Sequence, residues 1–149
     1  MNSNLKGKRA LVDVKMNVKV LLAGLWISVM FLYIYVDHFS LFREDVIEDL
    51  SAGKIGGFDI TQTYLLSVTV LMAIPSLMIF MSLYLKAKMN RYANIMVGSL
   101  YALVTVGGLA GETWAYYIFG SILELVLVGS IIYLAWKWPA AEETSTSGG

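Results

Sequence analysis

The sequence predicts an all-α integral membrane protein, an antiparallel bundle of four transmembrane helices with both termini in the cytoplasm. The 149-residue chain is 58% hydrophobic. A soluble domain of this length could not bury so much apolar surface, because roughly 30% of its chain surface stays exposed. The apolar residues also fall into four long, nearly uncharged stretches. A helix needs about 20 such residues to cross about 30 Å of hydrocarbon.

Each stretch is predicted to be a helix because backbone groups cannot stay unpaired in lipid. We expect helices at about 18–37, 60–86, 91–111 and 113–138, with an outer loop at 38–59. Together they form a four-helix membrane domain at 18–138. Residues 1–17 are predicted to be a basic cytoplasmic segment, not a cleavable signal peptide. Residues 139–149 are predicted to be a disordered tail.

The distribution of basic residues predicts the orientation. Nine Lys and Arg residues lie in or beside the N-terminal segment, the connection between the second and third helices, and the end of the fourth helix. Arg43 and Lys54 alone lie in the other connections. This bias puts both termini in the cytoplasm.

The outer loop is the only long connection that the sequence predicts. Residues 43–50 could form a short acidic surface helix with a narrow apolar edge at Val46, Ile47 and Leu50. Gly53, Gly56 and Gly57 are expected to loosen the chain after it. The loop is either a lid or docking element or a solvated connector, and we favour the connector.

Composition excludes several classes of function. The chain has no cysteine, which removes disulfides, thiolate catalysis and Cys-ligated metals. Its formal net charge is zero, so no electrostatic argument supports nucleic-acid binding. No hydrolase, zinc-protease or nucleotide-binding motif is present. We therefore predict no cofactor, no metal site and no catalytic residue, and lean against an enzyme.

The most informative single residue is Glu124, near the centre of the fourth stretch. A charged side chain at that depth costs about 2.5–3.5 kcal/mol on insertion scales. It is tolerated only if it faces the bundle and is paired, hydrated or protonated. Intramembrane acids indicate a functional site by default, although a protonated Glu that fixes helix register is the alternative.

Helical spacing predicts which side chains surround Glu124. Thr113, Tyr117, Gly120, Ser121 and Val128 share its face, and small or polar residues recur at similar spacing on the other helices. We expect Tyr101, Ser76 and Trp26 to be its partners, since no basic residue is available there. The predicted ligand-binding set is Glu124, Ser121, Tyr117, Tyr101, Thr105, Ser76, Trp26 and Tyr33.

Two further features accompany this set. Pro75 lies inside the second helix, where it lacks an N–H, frees the carbonyl of Leu71 and could kink the helix. Asp37, His38 and Glu112, with Asp59, are expected to form an acidic outer rim. Their spacing fits no metal signature, and we favour a solvated interfacial rim.

Four strings of sequence carry a resemblance: residues 25–37, 71–78, 90–95 and 117–124. The chain resembles an uncharacterised family of small bacterial and archaeal four-span membrane proteins, a domain of unknown function, over roughly residues 12–139. Its layout is loosely similar to DoxX-like bundles. The resemblance implies a multi-pass protein of a prokaryotic inner (plasma) membrane and supplies no activity.

Three functions remain open. The first is a binding or transport module in which a lipophilic or protonatable small molecule reaches Glu124 from the outer side. The second is an accessory or scaffold subunit that packs its small-residue stripes against a membrane partner or a second copy. The third is a lipid-modifying isomerase with Glu124 as acid/base, for which no second carboxyl is expected at that depth. The lipid bilayer is the expected partner in all three.

Overall fold

A computed structural model describes residues 15–138 of the chain. Helices make up most of this part, which confirms the all-α class. The elements are α1 (Val18–Ser40), α2 (Glu44–Ser51), β1 (Lys54–Ile55), β2 (Phe58–Asp59), α3 (Gln62–Tyr84), α4 (Ala87–Gly108) and α5 (Ala115–Trp136). The basic segment expected before residue 15 and the tail expected after residue 138 lie outside the described residues.

Three of the helices, α1, α3 and α5, are long and apolar enough to cross a membrane. They indicate a membrane protein. Helix α4, with 22 residues, has a similar length, but its larger share of polar residues leaves it out of this set. The sequence therefore predicted four spans where composition and length support three.

The long helices pack around a common core. Helix α1 contacts both α3 and α5, and α5 contacts α4, whereas α3 and α4 meet less extensively. The core contains Leu22, Trp26, Val29, Met78, Tyr101, Val128 and Ile131. Close approach is possible where glycines face bulky neighbours: a Cβ on Gly98 would lie 2.9 Å from Cγ1 of Ile132, and one on Gly120 would lie 2.6 Å from Cγ2 of Val36.

The bundle has a terminal end, where the described residues start and stop, and a loop end, which carries α2 and the hairpin. At the terminal end, the Lys19 ammonium donates to the carbonyl of Leu85 at 2.7 Å. This bond satisfies a carbonyl at the end of α3 that has no helical donor. At the loop end, Arg43 pairs with Glu112 at 3.0 Å. It joins the α1–α2 corner to the α4–α5 turn.

The long connection is more ordered than the sequence predicts. Helix α1 continues to Ser40, three residues past its predicted end. Helix α2 follows at the place where a short acidic helix was expected. The glycines after it do not loosen the chain. Gly56 and Gly57, with φ of 54° and 83°, form the turn of a small antiparallel hairpin between β1 and β2. Two consecutive positive φ angles are the requirement of a tight hairpin turn, and glycine meets it without steric cost.

The turn between α3 and α4 also differs from the prediction. Helix α4 starts at Ala87 rather than near residue 91, so Lys88 and Arg91 are helical. The charged residues end the predicted apolar run, but helical hydrogen bonding does not depend on apolar side chains. The connection is consequently very short, at Leu85 and Lys86.

Candidate functional site

Glu124 faces the interior of the bundle. Its position places it about 14 Å along α5 from the helix start, near the middle of that helix. The residue is only 7% exposed. Its neighbours on the same face, Gly120, Ser121 and Val128, are buried with it. The predicted polar face of the fourth stretch is therefore the face that α5 turns inward.

A partly enclosed cavity of about 160 Å³ lies against Glu124. Its oxygen-bearing lining residues are Tyr33, Asp37, Thr105, Tyr117, Ser121 and Glu124. Val36, Met72, Val104 and Gly108 complete the wall. Because Asp37, Gly108 and Tyr117 lie close to helix ends, the cavity extends from the depth of Glu124 towards the loop end. A volume of this size can hold several water molecules.

Two of the residues that line this cavity have a buried oxygen atom without a hydrogen-bond partner. Among the described residues, Oε1 of Glu124 and the hydroxyl oxygen of Tyr33 are the buried side-chain atoms without one. The Tyr33 and Thr105 hydroxyls lie close to the Glu124 carboxyl. An unpaired buried polar group costs about 1–3 kcal/mol. Since the Tyr33 hydroxyl lies close to the Glu124 carboxyl, either the pairing of these two groups with each other or a polar occupant of the cavity would recover this cost.

The three partners that spacing suggested for Glu124 bind elsewhere. The Trp26 indole N–H donates to Oδ1 of Asn94 at 2.7 Å. The Ser76 hydroxyl donates to the carbonyl of Met72 at 2.8 Å, and Ser76 itself is exposed. The Tyr101 hydroxyl donates to the carbonyl of Leu71. Periodicity identifies a face of a helix, but it does not specify which of several hydroxyls on neighbouring helices reaches the acid.

Pro75 explains why Tyr101 is diverted from Glu124. Residue 75 would normally donate its N–H to the carbonyl of Leu71, and proline has none. Tyr101 supplies the missing donor from α4. Its ring also lies 6.2 Å from the rings of Trp26 and Tyr33. Tyr101 therefore joins three helices beside the cavity without lining it.

A buried amide network lies nearer the terminal end, and sequence reasoning missed it. Asn94 donates to Oδ1 of Asn90 at 2.6 Å, and Asn90 donates to the carbonyl of Ser82 at 2.5 Å. The indole of Trp26 and the hydroxyl of Ser82 both donate to Oδ1 of Asn94. All four residues are fully buried. Because the donors of the two amide groups are paired within the chain, this network is a structural link and not an open site.

The three rim residues separate in the structure. Asp37 lines the cavity. The His38 ring packs edge-on against Phe42 at 5.4 Å. Glu112 pairs with Arg43. Within residues 15–138, no group of three or more His, Asp or Glu side chains could hold a metal ion.

Arg43 and Glu112 form a polar clamp at the loop end. Oε1 of Glu112 accepts the backbone N–H groups of Thr113 and Trp114 at the start of α5, and Oε2 accepts from Arg43. Burial alone would raise the pKa of Glu112, but these backbone donors and the Arg43 guanidinium outweigh it and lower the pKa below its usual value. The Arg43 guanidinium also lies 4.8 Å from the centre of the Trp114 ring.

The family's sequence profile matches residues 10–145, nearly the whole chain. The chain belongs to DUF6326, a family of unknown function. No curated protein and no solved structure matches this DUF6326 chain. Its function must therefore be argued from the site itself.

Proposed function

We propose that this chain is a small membrane binding or transport module in which Glu124 accepts a proton or a small protonatable ligand from the loop end. One observation carries the proposal: Glu124 and Tyr33 line one oxygen-rich cavity, and each has a buried oxygen without a hydrogen-bond partner. A residue that merely fixed helix register would be expected to have both oxygens paired inside the protein.

The size and chemistry of the cavity favour a small occupant. Pockets for drug-sized ligands are usually about 300–1,000 Å³, whereas this one is about 160 Å³. Its polar lining consists of hydroxyls and the carboxyls of Asp37 and Glu124, with no basic side chain among its residues. Water, a proton or a small protonated amine fits this lining better than a long apolar molecule.

We further propose that α4 is a fourth membrane span. Its polar residues Asn90, Asn94 and Thr105 are buried, while much of its exposed surface is apolar, with Met96 71% and Leu103 72% exposed. This is the reverse of a water-soluble surface helix and is typical of a helix in lipid. The polarity that makes α4 less apolar than the other helices faces inward.

The charges of the two ends support the predicted orientation. The basic residues Lys15, Lys19, Lys86, Lys88, Arg91 and Lys137 lie at the terminal end, where the described residues include no acidic side chain. Cytoplasmic segments are rich in Lys and Arg. We infer that both termini face the cytoplasm of a prokaryotic inner membrane and that the cavity extends towards the outer side.

Infrared difference spectroscopy between acidic and alkaline buffers tests the assignment of Glu124. The protein in lipid nanodiscs should show a protonated-carboxyl C=O band that responds to external pH and shifts promptly in D2O, because the cavity admits water. The band should disappear in Glu124→Gln. It should persist in Glu48→Gln, which removes an exposed carboxyl from α2.

Transport is tested with the same variants in liposomes that contain a pH-sensitive dye. Wild type and Glu48→Gln should dissipate an imposed pH gradient at equal rates, and Glu124→Gln should be slower. The proposal would be overturned if the Glu124 band did not respond to external pH or D2O and the three proteins dissipated the gradient at equal rates. Glu124 would then be a packing residue.

The packing of two glycines weakens one argument for the alternative that this chain is a scaffold subunit. That hypothesis relied on small-residue stripes that could approach a partner helix. Gly98 and Gly120 instead face Ile132 and Val36 of the same chain. These two glycines serve packing within the bundle, so they do not provide a surface for another protein.

A further inference from the structure

A second cavity, of about 450 Å³, lies at the loop end between α1, α3, α2 and the hairpin. We call it the vestibule. Its walls include Val46 and Leu50 from α2, Ile55 from β1, and Leu65 and Val68 from α3. Unlike the cavity at Glu124, it has the volume and the mainly apolar lining of a site for a drug-sized ligand.

The polar groups of the vestibule suit a positive charge. Asp37 and Tyr64 both line it. Among the described residues, no salt bridge involves Asp37. A carboxylate attracts a cation directly, and the face of a tyrosine ring attracts one through its quadrupole. The Asp37 carboxylate would repel an anion.

The surroundings of the vestibule are also negative. Six carboxyl side chains lie between residue 37 and residue 59, and Glu112 adds a seventh at the same end. The basic residues of these segments are Arg43 and Lys54. Arg43 is engaged by Asp45 at 2.6 Å and by Glu112 at 3.0 Å. The potential at this end therefore raises the local concentration of cations and lowers that of anions.

We propose that the vestibule binds a lipophilic cation. The apolar body of the ligand lies among the aliphatic residues beneath α2 and the hairpin, and its charge lies beside Asp37 and Tyr64. Helix α2 supplies Val46 and Leu50 to this wall, so the long connection acts as the cover of a binding site. The apolar edge of α2 would then form part of a ligand-binding wall, a role that a solvated connector does not have.

This site is separate from the cavity proposed to serve Glu124, although Asp37 and Met72 line both. Binding in the vestibule does not require Glu124. The two proposals can therefore fail independently. A cation held beside Asp37 would lie next to the proposed path of a proton to Glu124.

Two probes of equal shape and opposite charge provide the test. Radiolabelled tetraphenylphosphonium and tetraphenylborate are equilibrated with the protein in nanodiscs, and binding to protein-free discs is subtracted. We expect saturable, protein-dependent binding of the phosphonium and none of the borate. Equal saturable binding of both ions would show a non-selective apolar site and overturn the proposal.

Matched variants locate the bound ion. Asp37→Asn should weaken phosphonium binding about tenfold or more, since it removes a nearby opposite charge. Glu48→Gln removes a charge of α2 that does not line the vestibule. It should change affinity less than about twofold, because the attraction between charges weakens with distance and is screened by salt. If these two variants weaken binding equally, the ion responds only to the general field and the proposal fails.

A steric pair of variants covers the case in which Asp37→Asn does not fold. Val46→Trp should block binding by filling the vestibule, whereas Ile47→Trp places the same ring at an exposed neighbouring position and should not. Glu124→Gln should bind the phosphonium normally. If Glu124→Gln loses binding while Val46→Trp keeps it, the ion occupies the deeper cavity and the vestibule assignment is wrong.

Discussion

The hydrogen bond from Tyr101 to the carbonyl of Leu71 predicts an energetic coupling between Tyr101 and Pro75. The carbonyl needs Tyr101 only because proline lacks the N–H that would otherwise satisfy it. Tyr101→Phe keeps the buried ring and its contacts with Trp26 and Tyr33. The substitution removes the hydroxyl alone, so its cost reports this single bond.

The magnitude follows from what each variant leaves unpaired. Interhelical hydrogen bonds in membrane proteins are worth about 0.6 kcal/mol on average and up to about 1.7. A buried group left unpaired costs about 1–3 kcal/mol. We expect Tyr101→Phe to lower the free energy of unfolding by about 1.5 kcal/mol. In a Pro75→Ala background, residue 75 regains its N–H, and the same change should cost only about 0.5 kcal/mol.

The assay is reversible unfolding in mixed micelles of rising SDS fraction, applied to wild type, both single variants and the double variant. The cycle isolates the coupling, expected to be about 1 kcal/mol. Tyr92→Phe, which removes a hydroxyl from an exposed residue of the same helix, is the control and should change little. An equal cost of Tyr101→Phe in both backgrounds would refute the reasoning.

Three further predictions concern packing, the amide network and pH. Gly120→Ala should lower the free energy of unfolding by about 1–3 kcal/mol, because the added methyl group overpacks against Val36. Adding Val36→Ala should restore part of this loss in the same unfolding assay, and no recovery would contradict the proposed clash. Asn94→Leu should lower the free energy of unfolding by about 1–2 kcal/mol in the same assay, because it leaves the buried indole N–H of Trp26 unpaired. An unchanged unfolding midpoint would show that the amide network does not stabilise the fold. Since the pKa of Glu112 is lowered in the folded state, its pairing with Arg43 stabilises above pH about 4.5 and is lost as pH falls through the folded pKa. Thermal unfolding of Glu112→Gln should therefore lose part of the acid sensitivity of the wild type, and equal sensitivity would contradict this assignment.

Much of the fold could be predicted from the sequence because lipid imposes a simple rule. An uncharged run of about 20 residues has to satisfy its backbone internally, so α1, α3 and α5 follow directly from composition. The short acidic helix α2 was also anticipated, since its apolar residues recur at helical spacing. The hairpin was missed because Gly56 and Gly57 were interpreted as loosening the chain, although paired glycines also favour a tight turn.

The candidate site was predicted only in outline. Sequence placed Ser121, Tyr117, Tyr33 and Thr105 in the same set as Glu124, and these residues do line the cavity. It did not separate them from Tyr101, Trp26 and Ser76, which bind other groups. The one feature of the sequence that could have separated Tyr101 from the others was Pro75. Because proline has no N–H, it leaves the carbonyl of Leu71 in need of another donor. Recognising that Tyr101 would supply it needed the relative position of α3 and α4.

The sequence by itself determined the class of protein, the approximate helices and the burial of one acid, because each depends on the local pattern of apolar and polar residues. Only the tertiary structure decided that Tyr33 and Thr105 approach Glu124, that Asp37 borders two cavities, and that the polar face of α4 turns inward. These outcomes depend on how four helices rotate and tilt against one another. Helix rotation and tilt are set by the packing of the whole bundle, and no single segment specifies them.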